Sequence, residues 1–491
     1  MSHRPGRIAT VFFEPSTPQL RAPLTTASRG ITVGGMSTLI SRNPATGAVL
    51  KEIPEMPLSE CVAVVDKVRE AFEQWRSRSC SERAGCCSRL ASVLRDQRDD
   101  LASLITAEMG KPIVQSRAEV EKCAWACDYF AEHSEAFLKE EAVTTEARWS
   151  GVVHRPLGVI LAIMPWNFPF WQVFRACIPA LMAGNTVVLK HAENVPQCAL
   201  TLEGLFHEAE FPTHVFRTVP VTKENAPALL VHDAVAGVTV TGSVETGRTV
   251  AAQAGSLLKR CVLELGGSDP YLILADADVA AAAVRCAESR MVNNGQSCIA
   301  AKRFIAVDPI REEFEARFME AMSNYRPAPP DRSDCTLGPL ARPDLRERLH
   351  DQVARSLDEG AVLRMGGTVP EGAGLYYPPT ILGSVETHMT AAREELFGPV
   401  AAILPAADEE EAIALANTSP FGLGAAVFTR DLRRGEQIAR ERLEAGFCCV
   451  NDLVKSDPRL PFGGIRQSGI GRELGRAGIL EFVNSKTVVV Q

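Results

Sequence analysis

Val238-Thr-Val-Thr-Gly242-Ser-Val-Glu-Thr-Gly247 runs from a β-branched strand through a glycine turn into a helical stretch. β-branched residues suit a pleated sheet, and a strand feeding a helix N-terminus through a short glycine turn is the unit of a parallel α/β sheet. The turn itself makes a cradle for an anion or a cofactor. Outward from this unit the alternation repeats, with strand-like bursts at Gly158 to Met164, Thr186 to Lys190, Arg260 to Leu265, Tyr271 to Ala275, Phe304 to Val307, Val400 to Leu404, Ala425 to Thr429 and Phe447 to Val450. Such alternation predicts mostly parallel sheets covered on both faces. The bursts fall into two groups that divide near Gly266-Gly267, so the expected fold class is α/β, two open parallel-sheet lobes with a crevice between them. Ahead of them, Ser59 to Phe137 is helical, with Val62, Val65, Val68 and Phe72 at three- and four-residue spacing and Gly110-Lys111-Pro112 as a break.

The 491 residues give length for about three domains. A hydrophobic fraction of 46% against 23% charged residues excludes a largely disordered chain. With 52 Lys and Arg against 60 Asp and Glu the formal charge is −8, so no cationic excess is available for a phosphate backbone and nucleic acid is not an expected partner. No run approaches the roughly 18 apolar residues of a spanning helix, and no membrane partner is expected. The 14 cysteines form no C-x-x-C pair or regular framework, which points to a reducing compartment, the cytoplasm, with most thiols packed as small hydrophobes. The 9 histidines show no zinc-site spacing, and no metal is expected. Residues 1–36 carry Arg4, Arg7, Arg21 and Arg29 against the lone acid Glu14 and are rich in Ser, Thr and Pro; they read as a disordered extension, faintly similar to a transit peptide, with Met36 as an alternative start.

Several residues are placed to carry chemistry. The Gly242 to Gly247 turn has the glycine spacing of a Walker A loop, but Arg248-Thr249 stands where Lys-[ST] belongs, and arginine is a poor substitute for the compact ammonium. A P-loop nucleotide hydrolase is therefore one reading of the turn and an ordinary βα connection another. G-x-G-x-x-G is absent. Asn293-Asn-Gly-Gln-Ser-Cys298 puts one cysteine in a polar, glycine-containing loop, which suits a reactive thiol, whereas Cys177, Cys261 and Cys286 have apolar surroundings. Glu264 ends an apolar strand where ligand crevices of open sheets lie, as a general base or a solvated strand-end acid. Pro165-Trp-Asn167-Phe-Pro169 is a stiff turn that holds the Asn167 amide in one direction, as an oxyanion donor or a backbone tie.

Pro165 to Pro169, the Gly242 to Gly247 turn, Glu264-Leu-Gly-Gly267, Gly295-Gln-Ser-Cys298, Glu395-Leu-Phe-Gly-Pro399 and Pro461-Phe-Gly-Gly464 follow one another in the order and spacing of the aldehyde dehydrogenase superfamily. From about residue 40 to its end the chain resembles that family, most closely its NAD-linked succinate-semialdehyde branch. The six motifs in register leave the P-loop reading little room; a catalytically silent relative is the remaining rival. The resemblance implies that Cys298 adds to an aldehyde carbonyl, that Asn167 and the Cys298 N–H hold the oxyanion, and that Glu264 deprotonates the water that hydrolyses the thioester. It implies cofactor contacts from Trp166, Gly242, Ser243, Gly247, Leu265, Glu395 and Phe397. Lys190 and Glu193 match the adenosine-ribose site, where a carboxylate repels a 2′-phosphate, so NAD is expected over NADP. His191 departs from the family's usual proline.

Arg175 matches the position at which succinate-semialdehyde dehydrogenases place an arginine for the substrate carboxylate, and an arginine fork suits that anion. A second arginine of many such enzymes is Val292 here, with Arg290 two residues upstream, so Ser456, Lys455 or Arg459 are named as helpers. Glutarate semialdehyde and uncharged aldehydes remain as alternatives. The implied architecture assigns 37–137 and 157–266 to an NAD-binding domain with a Rossmann-like sheet, 267–465 to a catalytic domain, and 138–156 with 466–491 to a small β oligomerisation element. In it a hairpin pairs with Ser485 to Val490 across a subunit interface, giving a homodimer or homotetramer.

Overall fold

The apolar runs Val159–Met164 and Thr186–His191 are buried along nearly their whole length, as strands covered by helices on both faces must be. The computed structural model, which describes residues 37–491, makes them the middle of a six-stranded sheet. Its order is Gly469–Ile470, Arg260–Glu264, Val235–Thr241, Val159–Met164, Thr186–His191 and Phe216–Thr218, parallel throughout except for the antiparallel Gly469–Ile470. A seven-stranded sheet takes over after Gly267, in the order Val362–Met365, Thr380–Gly383, Val400–Ala406, Arg303–Val307, Pro270–Ile273, Gly424–Phe428 and Phe447–Val450. Only Val362–Met365 runs antiparallel to its neighbour. The expected extension 1–36 lies outside the described residues.

The strand order sets where the crevice opens. From Val159–Met164 the chain moves outward to Thr186–His191 and Phe216–Thr218, then returns to the other side as Val235–Thr241. Connections leave the central strands in opposite directions at this switch point, which opens a gap outside the strands' carboxyl ends. Pro165 to Pro169, Gly242 and Leu265 all follow directly on such ends. The second sheet faces the gap with amino ends: Cys298 precedes Arg303–Val307, and Glu395 and Phe397 precede the adjacent Val400–Ala406.

The helix Ile113–Phe137 packs on Cys80–Asp96 and Trp171–Met182, with Leu90, Leu94, Cys123, Cys127, Phe130 and Phe174 in one apolar cluster. A three-stranded sheet joins Glu141–Ala142, Trp149–Pro156 and Val483–Val490. The C-terminal strand pairs with the hairpin of its own chain, Thr487 opposite Val152 and Val490 opposite Trp149, instead of across a subunit interface. Pairing within a chain forgoes the loss of rotational and translational freedom that a second molecule would suffer. Val483–Val490 is the edge of this sheet, with Val489 and Val490 exposed. Among the described residues no helix is long and apolar enough to cross a membrane, and no group of three His, Cys, Asp or Glu side chains is placed to hold a metal ion.

Candidate active site

Cys298 is half-buried, on a loop whose carbonyl groups are tied down one after another. Asn293, Asn294 and Gly295 are all left-handed, at φ 56°, 57° and 74°. Such a run bends the chain sharply after the helix Val279–Met291, and a Cβ at Gly295 would collide with the backbone of Gly398. The loop of Glu395 and Phe397 therefore sits directly on the thiol loop. Arg290 Nη2 donates to the Gly295 carbonyl at 2.6 Å, and Lys302 Nζ donates to those of Ser297 and Cys298 at 2.9 and 2.6 Å. Asn293 Nδ2 reaches the Asn167 carbonyl at 2.7 Å, and Asn167 Nδ2 donates back to the Gln296 carbonyl at 3.1 Å. Asn167 is thus fixed on the nucleophile loop with one amide hydrogen still free and its Oδ1 unpartnered. Burial pushes the Cys298 thiol up to about 11, against the pull of Arg175 and then Lys302 toward the thiolate.

Glu264 is buried at the end of Arg260–Glu264, and its Oε1 has no hydrogen-bond partner. A Cβ on Gly463, at φ 153°, would lie 2.7 Å from that oxygen, so the Pro461-Phe-Gly-Gly464 motif leaves the carboxyl its room. Burial first and repulsion from Glu473 second hold the Glu264 carboxyl well above the ordinary range, with Arg175 and Arg472 opposing. Arg175 itself is sealed in, 2% exposed, and ion-paired through Nε with Glu473, which is 4% exposed. Its guanidinium lies 4.5 Å from the centre of the Phe462 ring, and Nη2 makes a long 3.4 Å contact to Thr241 Oγ1. An open arginine fork was expected at this position; the guanidinium instead has a buried counter-ion, supplied from a segment 298 residues further along the chain.

The helpers named for Arg175 separate. Ser456 is buried, and its Oγ accepts from Lys122 Nζ at 2.8 Å and Trp171 Nε1 at 3.1 Å. Lys455 and Arg459 are exposed and paired with Asp452 at 3.6 Å and Asp457 at 2.7 Å, so they face solvent charges rather than the crevice. Arg290 is buried and spent on loop carbonyls.

Trp166 and Phe397 meet edge to face with centroids 5.8 Å apart. Glu395 Oε1 accepts from the Gly267 N–H at 3.0 Å and lies 3.6 Å from Lys302 Nζ; a Cβ on Gly266 would come within 2.5 Å of its other oxygen. The helix Val244–Ser256 begins with Ser243 accepting from the Thr246 N–H at 3.2 Å, and a Cβ at Gly247 would already be 2.5 Å from the end of Leu265. Gly247 lies inside this helix, not on a loop, so no Walker-type loop wraps a phosphate here. Lys190 Nζ lies 3.7 Å from Glu193 Oε1, which accepts from the Lys223 N–H at 2.7 Å. His191 is buried and held neutral, its pKa pushed down to about 4 by burial; Nδ1 accepts from Ala192 N–H, so Nε2 donates to the Pro169 carbonyl at 2.7 Å. The residue that replaces the usual proline thus ties the Thr186–His191 strand to the Asn167 turn. The N-terminus of Val244–Ser256, the carboxylates of Glu193 and Glu395, which can accept from ribose hydroxyls, and the Trp166–Phe397 aromatic pair make a set that fits a nicotinamide dinucleotide.

Two positioning residues escaped the sequence reading. Glu119, buried on Ile113–Phe137, accepts from the Phe170 and Trp171 N–H groups at 2.9 Å each and pairs with Lys111, so it caps the helix that follows Asn167. An acid on the apolar face of Val120, Cys123, Cys127 and Phe130 is the signal that could have found it. Glu473 had no such signal, because its meaning rests on a partner distant in the chain.

The family model described as "Aldehyde dehydrogenase family" matches residues 33–488. A probable succinate-semialdehyde dehydrogenase (NADP+) of Synechocystis is 46% identical over 446 residues, 91% of this chain and 98% of that protein. The succinate semialdehyde dehydrogenase (NAD(P)+) Sad of Escherichia coli is 45% identical over 458 residues, 93% of this chain and 99% of that one. A crystal structure of succinic semialdehyde dehydrogenase from Streptococcus pyogenes in complex with NADP+ superposes with a TM-score of 0.90 at 33% identity, covering 92% of this chain and 99% of that one. The chain belongs to the aldehyde dehydrogenase family.

Proposed function

We propose that this aldehyde dehydrogenase oxidises succinate semialdehyde to succinate with NAD+, through a thioester on Cys298. The observation that carries the chemistry is that an amide with a free hydrogen is bonded to the loop of a half-buried thiol, while that thiol and a buried carboxyl with an unpartnered oxygen both lie within the field of one cation, Arg175. The Cys298 sulfur adds to the carbonyl carbon, and the developing oxyanion is held by the Asn167 amide and the Cys298 N–H, donors fixed before charge appears. Bound nicotinamide supplies the hydride acceptor. Glu264 then takes a proton from the water that hydrolyses the acyl-sulfur bond, dividing one oxidation into two easier steps. Arg175 and Lys302 favour the thiolate over the neutral thiol, and Arg175 favours the ionised form of Glu264.

Trp166, Leu265, Glu395 and Phe397 would hold the nicotinamide end, Gly242, Ser243 and Gly247 the pyrophosphate, and Lys190 with Glu193 the adenosine ribose. Glu193 favours NAD+ by repelling a 2′-phosphate. NADP+ is the second reading, because Lys190 stands 3.7 Å from Glu193 as a cation for that phosphate and the relatives' names print NADP+ or NAD(P)+. Succinate semialdehyde is supported by the same names. Arg175, sealed in and balanced by Glu473, acts on the Cys298 thiol and on Glu264 rather than as an open clamp for the substrate carboxylate. Residues 37–137 and 157–266 would serve as the dinucleotide domain, 267–465 as the catalytic domain, and 138–156 with 466–491 as the assembly element, whose exposed edge at Val483–Val490 suits a homodimer or a pair of dimers. The reaction is tested by NADH formation over a panel of semialdehydes and uncharged aldehydes; no reduction of either cofactor with any aldehyde would overturn it.

A further inference from the structure

Glu193, the carboxylate proposed for the adenosine ribose, is tied in place from outside its own strand. It follows Thr186–His191, its side chain is 39% exposed, and Lys190 Nζ lies 3.7 Å from its Oε1. That oxygen accepts from the Lys223 N–H at 2.7 Å, on the turn 222–225 between the strand Phe216–Thr218 and the helix Ala226–Val231. The chain leading into this turn is anchored by Val219 and Val221, which pack in the apolar core with Val188 and Leu229. The turn itself is held by side chains. Among the described residues, 222–225 make four hydrogen bonds to or from side chains elsewhere, three of them to Glu55 and the fourth to Glu193. Glu55 comes from a distant part of the chain, directly after the strand Val49–Pro54. Its Oε1 accepts from the Thr222 N–H and hydroxyl at 2.8 Å each and from Asn225 Nδ2 at 2.6 Å. The next residue, Met56, donates its N–H to the Pro220 carbonyl at 2.9 Å.

We infer that Glu55 is a positioning residue for cofactor choice: by fixing the turn 222–225 it holds the Glu193 carboxylate beside Lys190, where its charge opposes a 2′-phosphate. This role rests on the proposed preference for NAD+ and names what enforces it. A glutamate of this exposure, released from the Lys223 N–H, is free to rotate into solvent, and Lys190 is then left as a lone cation for a phosphate. With Oε1 occupied, the carboxylate keeps its second oxygen for a ribose hydroxyl. Glu55 is suited to the task at neutral pH. Burial pushes its carboxyl up, but the Thr222 and Asn225 donors and the charge of Lys190 outweigh that and hold it below the usual range. The three donors therefore meet an ionised acceptor, which makes the stronger kind of hydrogen bond.

The test measures dissociation constants of NAD+ and NADP+ by calorimetry, without aldehyde, in wild type, Glu55→Ala, Glu55→Gln, Asn225→Ala and Glu193→Ser. Glu55→Ala is also placed in the Glu193→Ser background. Release of Glu193 predicts that Glu55→Ala narrows the NADP+ to NAD+ ratio of dissociation constants by roughly fivefold, less than the effect of removing the carboxylate outright. Glu55→Gln keeps an acceptor oxygen and restores most of the ratio. Asn225→Ala removes one donor, leaves Glu55 intact and narrows the ratio by roughly twofold. In Glu193→Ser, Glu55→Ala leaves the ratio unchanged. The failures separate. A wild type that binds NADP+ as tightly as NAD+ overturns the cofactor preference, and this role with it. A wild type that prefers NAD+ while Glu55→Ala and Asn225→Ala keep its ratio overturns the role of Glu55 alone. Equal weakening of both nucleotides in Glu55→Ala assigns the residue to packing, and a ratio that still moves in the Glu193→Ser background shows that Glu55 does not act through Glu193. Either result also overturns the inference.

Discussion

Replacing Arg175 by Met separates an internal counter-ion from an open substrate clamp. Both members of the Arg175–Glu473 pair are nearly inaccessible, at 2% and 4% exposure, so the variant strands a carboxyl in the interior. Breaking a buried pair from one side costs about 3–5 kcal/mol. Loss of the cation over Phe462 adds up to ~2 kcal/mol, whereas the 3.4 Å contact to Thr241 is too long to add much. Glu473 has an escape, because it can take up a proton. Burial already holds its carboxyl above the ordinary value, and Arg175 is the main influence pulling it down. Without Arg175 the folded-state pKa rises further above the unfolded one, and stability linked to such a group is lost as pH rises. The deficit of Arg175→Met therefore grows from about pH 5 toward pH 8, by up to about 1.4 kcal/mol per unit. Urea unfolding midpoints at the two pH values, for Arg175→Met, Glu473→Gln and the double variant, measure this. The double variant is expected to recover most of the single loss. Turnover of charged and uncharged aldehydes should fall together, since Arg175 is also the largest influence favouring the Cys298 thiolate. A deficit that shrinks as pH rises, or equal losses in the singles and the double, would show that Arg175 is not the counter-ion of Glu473.

Asn167→Ala removes a preorganised oxyanion donor and is expected to lower kcat by about 10²–10³ with little change in KM, read in steady-state kinetics with any good aldehyde. Glu119→Gln weakens its charge-assisted bonds to Phe170 and Trp171 and leaves Lys111 buried without its counter-ion, which predicts a loss of about 3–5 kcal/mol in urea unfolding and a fall in kcat for all substrates. Glu193→Ser should raise the NADP+ to NAD+ ratio of kcat/KM at least about tenfold, a change of ~1.4 kcal/mol, because Lys190 then faces the 2′-phosphate without a competing carboxylate.

The parallel strands were legible because each is a short apolar burst with a signature of its own, and all nine bursts read from the sequence are strands in the structure. Phe216–Thr218 was missed because a run of 3 residues carries too little pattern, and Thr380–Gly383 because it holds only two apolar residues between Pro379 and Gly383, whereas Phe447–Val450, of the same length, is apolar throughout. Cys298, Asn167 and Glu264 could be singled out as candidates from local context, Asn167 and Glu264 at carboxyl ends of the first sheet and Cys298 on a loop before the second, while their roles came only from the resemblance. The glycines of the motifs acquire their reason only in three dimensions: Gly295 beneath Gly398, Gly266 beside Glu395, Gly463 beside Glu264. The partner of Arg175 was out of reach, since no local pattern in 466–491 announces that Glu473 turns inward. The partner of Val483–Val490 was misplaced for the same reason, because an apolar terminal strand declares that it needs an edge and not which chain supplies it.

One sulfur among the 14 cysteines, that of Cys298, should become acylated during oxidation. Glu264→Gln, which should slow hydrolysis more than acylation, can be mixed with succinate semialdehyde and NAD+, quenched in acid within the first turnover and digested for peptide mass spectrometry. A succinyl group is expected on Cys298, formed in step with a burst of NADH of one equivalent per site. A burst of NADH with the acyl group on another residue, or with no acylated residue at all, would contradict it.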